Sequence, residues 1–211
     1  MNYSNQPFDP VKELKYNRRP KDPGAGSGNV SDFPPEAVVW LHQGHITPKM
    51  MADYDITWHE KERALQLPCS GGYQWRYFNG KQKYLTSEGC KGYIALPGKA
   101  ESPVVVVVED ILSAMHLREC GYSSVATLGT ALNAEARLAL RGLIDHATKA
   151  LLVWYDNDNM KVRQRARKVA SQLNGLSVPA HIVDERVGQD PKLYNSFDID
   201  QIINRIVYGG S

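Results

Sequence analysis

The pattern of hydrophobic and polar positions divides the chain into three stretches. Residues 1–34 show almost no apolar periodicity and contain several prolines and a glycine-rich run at 24–28. A segment of this composition cannot bury enough apolar surface to offset the entropy lost on ordering. No strand precedes the glycines and no Lys-Ser or Lys-Thr pair follows them, so a flexible tail is favoured over a phosphate-binding loop.

The second stretch, residues 35–100, mixes helical and strand signals. Glu36–Met51 has helical spacing interrupted at Gly44, and Thr47 followed by proline is a typical helix start. Short strand-like segments follow at 63–67, 73–78 and 83–86. Asn79-Gly80 between aromatic-rich segments predicts a hairpin with a type I′ turn, which needs positive φ at both residues. We therefore predict a small α+β subdomain.

The third stretch, residues 101–211, alternates strands and helices. Val104–Val108 is a run of consecutive valines, which is typical of a strand buried on both faces. Further strands are predicted at 124–128, 150–155 and 179–183, and helices at 110–120, 133–146, 159–173 and 198–207. Regular alternation of this kind predicts an α/β fold with a parallel sheet flanked by helices.

Composition narrows the classes of protein that fit. With 42% hydrophobic and 23% charged residues among 211, a wholly disordered chain is excluded. The net charge of +2 argues against a histone-like nucleic-acid binder but leaves room for a local basic face. No apolar run is long enough to span a membrane, and the N-terminus does not resemble a signal peptide. We expect a cytoplasmic protein with no membrane contact.

The number and spacing of the cysteines argue against two further classes of protein. The three cysteines, Cys69, Cys90 and Cys120, are widely spaced and form no Cys-x-x-Cys pair. Neither a disulfide framework nor a zinc module is expected from this spacing, so the predicted cofactors do not include zinc.

Acidic residues follow the predicted strands at the point where each strand ends. Glu109 and Asp110 follow the valine strand, Asp156 and Asp158 follow the third strand, and Asp190 lies beyond the fourth. Since the carboxyl ends of parallel strands meet at one edge, these carboxylates should lie together and repel one another unless cations separate them. Oxygen ligands at this density suit Mg²⁺ or Mn²⁺. The alternative, that Asp156 and Asp158 cap the next helix, is also common for aspartate.

Basic and aromatic residues are candidates for nucleic-acid binding. The predicted hairpin carries Arg76, Lys83 and Tyr84, and the helix after Asp158 carries Lys161 and Arg163. Such residues contact phosphates and stack on bases, but charged runs are usually solvated faces and hairpin aromatics often pack in a core. Alternation places Tyr73, Trp75 and Tyr77 on one side of the strand and Arg76 and Phe78 on the other, with core packing favoured for the aromatic rings.

Several of these segments resemble a known family. VVVVVEDILSA, VATLGT, LLVWYDNDN with its following basic helix, and GQDP resemble the Toprim domain of primases, topoisomerases and related enzymes, over about residues 101–207. The upstream segments WLHQGHITPKMMADYDITWHEKERALQLPC, GYQWRYFNGKQKYLTSEG and GYIALPG resemble the N-terminal subdomain of bacterial and phage DNA primase catalytic cores. The order of the two resemblances favours a primase.

The resemblance implies a role for each matching residue. Glu109 would be the Toprim glutamate, acting as acid/base or metal ligand, and Asp156 and Asp158 the paired metal ligands. Arg76 and Lys83 would contact template or nucleotide phosphates. Gly129 in the Leu-Gly-Thr turn and Asp190 in GQDP match further motif positions. The family usually has glycine after the glutamate and aspartate four residues after it. Here Asp110 and Ser113 stand at those positions, which makes Asp110 a further candidate metal ligand.

The implied function is a phage-type DNA primase core that makes short RNA primers on single-stranded DNA from ribonucleoside triphosphates, using two Mg²⁺ or Mn²⁺ ions. A zinc-binding domain and a helicase domain would then come from partners, namely a separate zinc-binding or accessory protein and a replicative helicase. Two alternatives remain open: a Toprim nuclease that uses the same ions, and a degenerate module that only binds nucleic acid or a replication partner.

Overall fold

Two short helices and an antiparallel sheet follow the tail. The structure is a computed structural model, and it describes residues 26–80, 82–99, 101–129, 132–156, 160–183 and 190–209. Helices α1 (Pro35–Gln43) and α2 (Pro48–Asp53) precede four strands in sequential order, β1 (Thr57–His59), β2 (Ala64–Cys69), β3 (Gly72–Tyr77) and β4 (Tyr84–Thr86). The predicted flexible tail lies mostly outside the described residues.

The boundaries of α1 and α2 follow from local chemistry, as the sequence predicts. Proline occupies the first turn of each helix, where its missing N–H is not needed. Helix α1 ends at Gly44, and Thr47 caps α2 because its hydroxyl accepts a hydrogen bond from the Met50 N–H at 3.2 Å.

The prediction of a type I′ turn at Asn79-Gly80 is wrong. Neither residue has a positive φ. The β3–β4 connection is wider than a two-residue turn, since the Tyr77 N–H donates to the Lys83 carbonyl at 2.9 Å. The Asn79 side chain instead donates to the Glu62 carbonyl at 3.1 Å, which ties this loop to the β1–β2 connection.

The second sheet is mostly parallel and is flanked by helices, which confirms the predicted fold class. Its order is β5-β7-β6-β8-β9, and only β5 runs antiparallel, against β7. The strands are β5 (Ile94–Leu96), β6 (Val104–Val108), β7 (Ser123–Ala126), β8 (Ala150–Val153) and β9 (Ala180–Ile182). The helices are α3 (Ile111–Glu119), α4 (Ala134–Leu143), α5 (Met160–Leu173) and α6 (Ser196–Tyr208).

The valines of β6 divide the core into two layers. Val104, Val106 and Val108 belong to a hydrophobic cluster with α3 and α6, whereas Val105 and Val107 belong to a second cluster with α4 and α5. All five valines are fully buried. Because side chains alternate along a strand, this run of identical residues fills both layers at once.

The smaller sheet shares the first of these two layers. Leu41 of α1 and Leu65 of β2 lie in the same cluster as Leu112 of α3. The approach is close at Gly44, where an added Cβ would lie 2.7 Å from Leu112 Cδ1. This shared cluster holds the antiparallel sheet beside the parallel one.

A disulfide joins Cys69 and Cys90, and it links the end of β2 to the segment before β5. The expectation of free thiols is therefore wrong for this pair. The two cysteines are 21 residues apart, and their pairing depends on how the chain returns alongside the β2–β3 turn, which cysteine spacing alone does not show.

No helix in the described part of the chain is long and apolar enough to cross a membrane.

The central position of β8 predicts a large effect of truncating its core residues. We expect Leu152→Ala to lower the free energy of unfolding by about 2–5 kcal/mol, because Leu152 is fully buried and its loss leaves a cavity. Leu138→Ala is the matched control, since Leu138 is 72% exposed, and it should change stability by less than about 0.5 kcal/mol. Urea unfolding measures both. Similar values for the two variants would contradict the assigned position of β8.

Candidate active site

The candidate site lies at the carboxyl edge of the parallel sheet. Glu109 leaves the sheet directly after β6, and Asp156 lies just beyond β8, which pairs with β6 in parallel register. The turn after β7 passes over Glu109, because the Gly129 N–H donates to the Glu109 carbonyl at 3.1 Å. Leu128 and Gly129 both have positive φ, 47° and 73°. Backbone strain at a non-glycine residue such as Leu128 is often found at functional sites.

Below this turn, a hydrogen bond joins neighbouring elements of the sheet. Thr127 Oγ1 and the Tyr155 hydroxyl are 3.0 Å apart, and Thr127 Oγ1 also donates to the Val108 carbonyl. Burial raises the pKa of Tyr155 to about 12, so its hydroxyl stays protonated at neutral pH. The hydrogen bond between Thr127 and Tyr155 is therefore one between two neutral groups.

Glu109 is partly buried and is paired with an arginine. Its side chain is 18% exposed, and its Oε1 accepts a hydrogen bond from Arg165 Nη1 of α5 at 2.7 Å. Burial raises the pKa of Glu109; Arg165 lowers it, the negative charges of Asp190 and Asp156 raise it, and the net shift is upward. Asp156 and Asp190, two of the predicted site residues, thus lie close enough to Glu109 to affect its pKa.

Asp110 caps the helix that follows the glutamate. Its Oδ1 accepts from the Ser113 N–H at 3.1 Å, and its Oδ2 accepts from the Ser113 hydroxyl at 2.7 Å. Asp110 Oδ2 also accepts from Lys192 Nζ at 2.9 Å. Ser113, which stands where the resembled family has aspartate, therefore fixes the orientation of Asp110. A role for Asp110 as metal ligand stays a prediction.

Sequence reasoning missed Lys192. Its ammonium group also contacts Asp190 Oδ2, so it lies between two predicted site residues. Burial alone would lower the pKa of Lys192, but the carboxylates of Asp110 and Asp190 outweigh it and hold the pKa well above its ordinary value. The available signal was the Asp-Pro-Lys order, since the short 3-10 helix Pro191–Leu193 starts at the proline and returns the lysine toward Asp190.

Arg76, on β3 of the smaller sheet, is held in place by three aromatic rings. Its guanidinium lies over the rings of Trp40, Phe78 and Tyr84 at 5.4, 4.9 and 5.2 Å from their centroids. Its Nη1 donates to the Tyr77 carbonyl at 2.8 Å. Cation–π contacts of this kind fix the position of the charge. Trp40 was not predicted to take part, because it lies on α1, far from the hairpin in sequence.

The two faces of β3 match the predicted alternation. Trp75 is fully buried, and its ring packs against Tyr73 at 5.4 Å and Tyr77 at 6.1 Å. Arg76 lies with Phe78 on the other side. The predicted core packing of Trp75 is therefore confirmed. The opposite face of β3, which carries Arg76, belongs to the candidate site.

One cleft brings residues from both sheets together. It has a volume of about 200 Å³ and is lined by Gln74, Tyr84, Glu109, Asp110, Leu128 and Gly129. Burial raises the pKa of Tyr84, while Arg76 lowers it and the carboxylate of Asp110 adds to the rise. Four predicted site residues, Tyr84, Glu109, Asp110 and Gly129, thus share a single cleft. Lys83 is exposed at the β3–β4 loop and does not line it.

A second pocket lies beside Asp156. It has a volume of about 290 Å³ and is lined by Tyr155, Asp156, Arg163, Ala166, Arg167, Ile182 and Val183. Arg163 and Arg167 are one turn apart on α5 and therefore share a face. Lys161 is exposed in the first turn of the same helix. The inward face of α5 includes the buried residues Ala166, Val169 and Leu173.

The carboxylates of the site are the candidate ligands for Mg²⁺ or Mn²⁺. The described residues contain no group of three or more His, Cys, Asp or Glu side chains placed to hold an ion. Asp158 lies outside the described residues. Mg²⁺ in proteins often binds one or two carboxylates and keeps several waters, with substrate phosphates completing its shell. Glu109 and Asp156 fit an open site of this kind.

Comparison with known proteins shows a likeness in fold. No protein-family model and no curated protein matches the sequence. Among solved structures, the chain is similar to the E. coli primase catalytic core, with a TM-score of 0.46 and 18% sequence identity. The alignment covers 85% of this chain and 61% of that chain. At this identity the likeness concerns the fold alone, and function has to be inferred from the geometry of the site.

The Glu109–Arg165 pair predicts a change in proton affinity. In Arg165→Met, we expect the pKa of Glu109 to rise further, because burial still disfavours the carboxylate and the neighbouring positive charge is gone. An acid whose pKa is raised by folding loses stability as the pH rises through that pKa, so this variant should be destabilised toward neutral pH. Carboxyl ¹³C NMR titration measures the pKa, and urea unfolding measures the stability.

Arg167→Met is the control, since Arg167 lies on the same helix but lines the other pocket. It should leave the pKa of Glu109 unchanged. An unchanged pKa in Arg165→Met would show that the ion pair has no influence on the glutamate.

Proposed function

We propose that this chain is the catalytic core of a DNA primase, which joins ribonucleoside triphosphates on a single-stranded DNA template. The observation that carries the proposal is the cleft itself. Its one wall is the acidic carboxyl edge of the parallel sheet, with Glu109 and Asp110, and its other wall is the smaller sheet, with Tyr84. Nucleotidyl transfer needs both kinds of surface, one for cations and reacting phosphates and one for the nucleic acid.

Glu109 is suited to accept or donate a proton in this reaction. A general base works best when its pKa lies near the operating pH, and burial moves the pKa of Glu109 in that direction. In the proposed reaction, a Glu109 oxygen accepts the proton of the attacking ribose hydroxyl. Arg165 supports this role by fixing the position of the carboxylate.

Glu109 and Asp156, with Asp158 beyond the described residues, would hold Mg²⁺ or Mn²⁺. Such an ion neutralises charge on the triphosphate and acts as a Lewis acid on the transferred phosphoryl group. The chain's contribution is to place Glu109 and Asp156 beyond the ends of adjacent parallel strands, so that the sheet sets the positions of these two carboxylates.

The opposite wall and α5 would bind the nucleic acid. Tyr84 is 42% exposed and can stack on a base, while the fixed guanidinium of Arg76 lies behind it. Lys83, Lys161 and Arg163 are exposed and can contact phosphates. In this proposal the helicase and the zinc-binding function belong to partner proteins in the cytoplasm.

One observation favours a different function. Both Glu109 and Asp110 are already neutralised by cations of the protein itself, Arg165 and Lys192. A module that only binds nucleic acid or a replication partner would need no further cation at this edge. A Toprim-type nuclease, in which water attacks a phosphodiester, would use the same carboxylates as the primase. The next experiment separates all three.

We expect Glu109→Gln to reduce primer synthesis by roughly 10²–10⁴-fold, the range for loss of a general acid or base. Asp156→Asn should also reduce it, because a metal ligand is lost. The assay measures labelled short RNA made on single-stranded DNA with Mg²⁺ or Mn²⁺, alone and with candidate helicases. Glu135→Gln is the control, since Glu135 pairs with Lys91 and lies outside the cleft; it should retain full activity. Template shortening without synthesis would indicate the nuclease, and binding without any chemistry would indicate the binding module.

The arginines of α5 predict a salt-dependent contribution to DNA binding. The slope of log Kobs against log salt is negative. In the double variant Arg163→Ala/Arg167→Ala it should become less steep by about 1.4, or about 0.7 for each phosphate that is no longer neutralised. The matched control is Arg137→Ala/Arg141→Ala, which removes two exposed arginines at the same spacing on α4. Fluorescence anisotropy with single-stranded DNA measures both slopes. Equal slopes for the two double variants would exclude α5 as a phosphate-binding face.

A further inference from the structure

A lysine ammonium group occupies the carboxyl end of β6. Lys192 Nζ lies 2.9 Å from Asp110 Oδ2 and also contacts Asp190 Oδ2. Its side chain is only 21% exposed. Two carboxylates that converge on one partly buried positive charge form the kind of environment that a divalent cation would otherwise occupy.

The groups around this ammonium are fixed in place. Both oxygens of Asp110 accept hydrogen bonds from Ser113, one from its N–H and one from its hydroxyl. Asp190 directly precedes the 3-10 helix that begins at the buried Pro191. Lys192 therefore belongs to the framework of the site, unlike the exposed lysines of the surface.

The ammonium and a divalent ion compete for the same two carboxylates. An ion bound to Asp110 and Asp190 would lie within a few ångströms of Lys192 Nζ, because that nitrogen already contacts an oxygen of each. Like charges at such a distance repel strongly where water is partly excluded. Glu109 is adjacent to Asp110 in sequence but pairs with Arg165 of α5, and Asp156 follows β8, so an ion held by these two would not need the carboxylate oxygens that Lys192 contacts.

We propose that Lys192 takes the place of one of the two metal ions expected for this chemistry, so that the chain holds a single divalent cation, with Glu109 and Asp156 as its carboxylate ligands. This inference rests on the proposed function for the presence of a metal. Lys192 acts here as a positioning residue: its ammonium is a compact point charge that fixes Asp110 and Asp190 and directs positive charge toward a phosphate in the cleft.

The test is the stoichiometry of Mn²⁺ binding to the full chain, measured by the loss of the electron paramagnetic resonance signal of free Mn²⁺. The wild-type chain should bind one ion. Lys192→Met should bind two, because the ammonium no longer occupies the position between Asp110 and Asp190. Lys192→Arg, which keeps the charge, should bind one. Lys99→Met is the matched control, since Lys99 pairs with Glu119 away from the site, and it should also bind one.

Two ions bound to the wild-type chain would overturn the inference, and so would a wild-type chain that binds none. A stoichiometry of one in a folded Lys192→Met variant would overturn it as well. The wild-type and Lys192→Arg values decide the matter even where Lys192→Met does not fold. Because the readout is binding, a chain that binds one Mn²⁺ but makes no primers would contradict the primase proposal and leave the role of Lys192 standing.

Discussion

Strand β6 packs between two helical layers, and all five of its valines are excluded from water. A strand buried on both faces cannot shift its register without exposing apolar side chains, so its end is fixed in space. Glu109 and Asp110 are the first residues beyond that end. The position of the candidate site therefore depends on the burial of this one strand, and the parallel pairing with β8 brings Asp156 to the same edge.

The carboxylates at this edge differ in their surroundings, which gives them different chemical properties. Glu109 is buried against Arg165, and its pKa is raised. Asp110 is held by Ser113 and Lys192 as part of a helix cap. Environments that separate the properties of neighbouring acids are typical of sites where each acid has its own role.

The sequence allowed the α/β class, the strand ends and the two faces of β3 to be predicted, because each depends on local periodicity. The contacts that complete the site are long-range. Arg165 and Glu109 are 56 residues apart, and Lys192 and Asp110 are 82 apart. Nothing in the spacing of these residues indicates that they meet. Strands β1 and β5 were missed for a different reason, since three residues are too few to show alternation. The equally short β4 and β9 were predicted from their context, a hairpin for β4 and the strand–helix alternation for β9.

The smaller sheet and helix α3 share one hydrophobic cluster, with Gly44 packed directly against Leu112. Separating the two walls of the cleft would expose this shared apolar surface to water, which is costly. The cleft therefore has a fixed width. In the proposed function, a cleft of fixed width would admit only a polynucleotide strand of matching thickness, so selection by shape would follow from the folding of the chain.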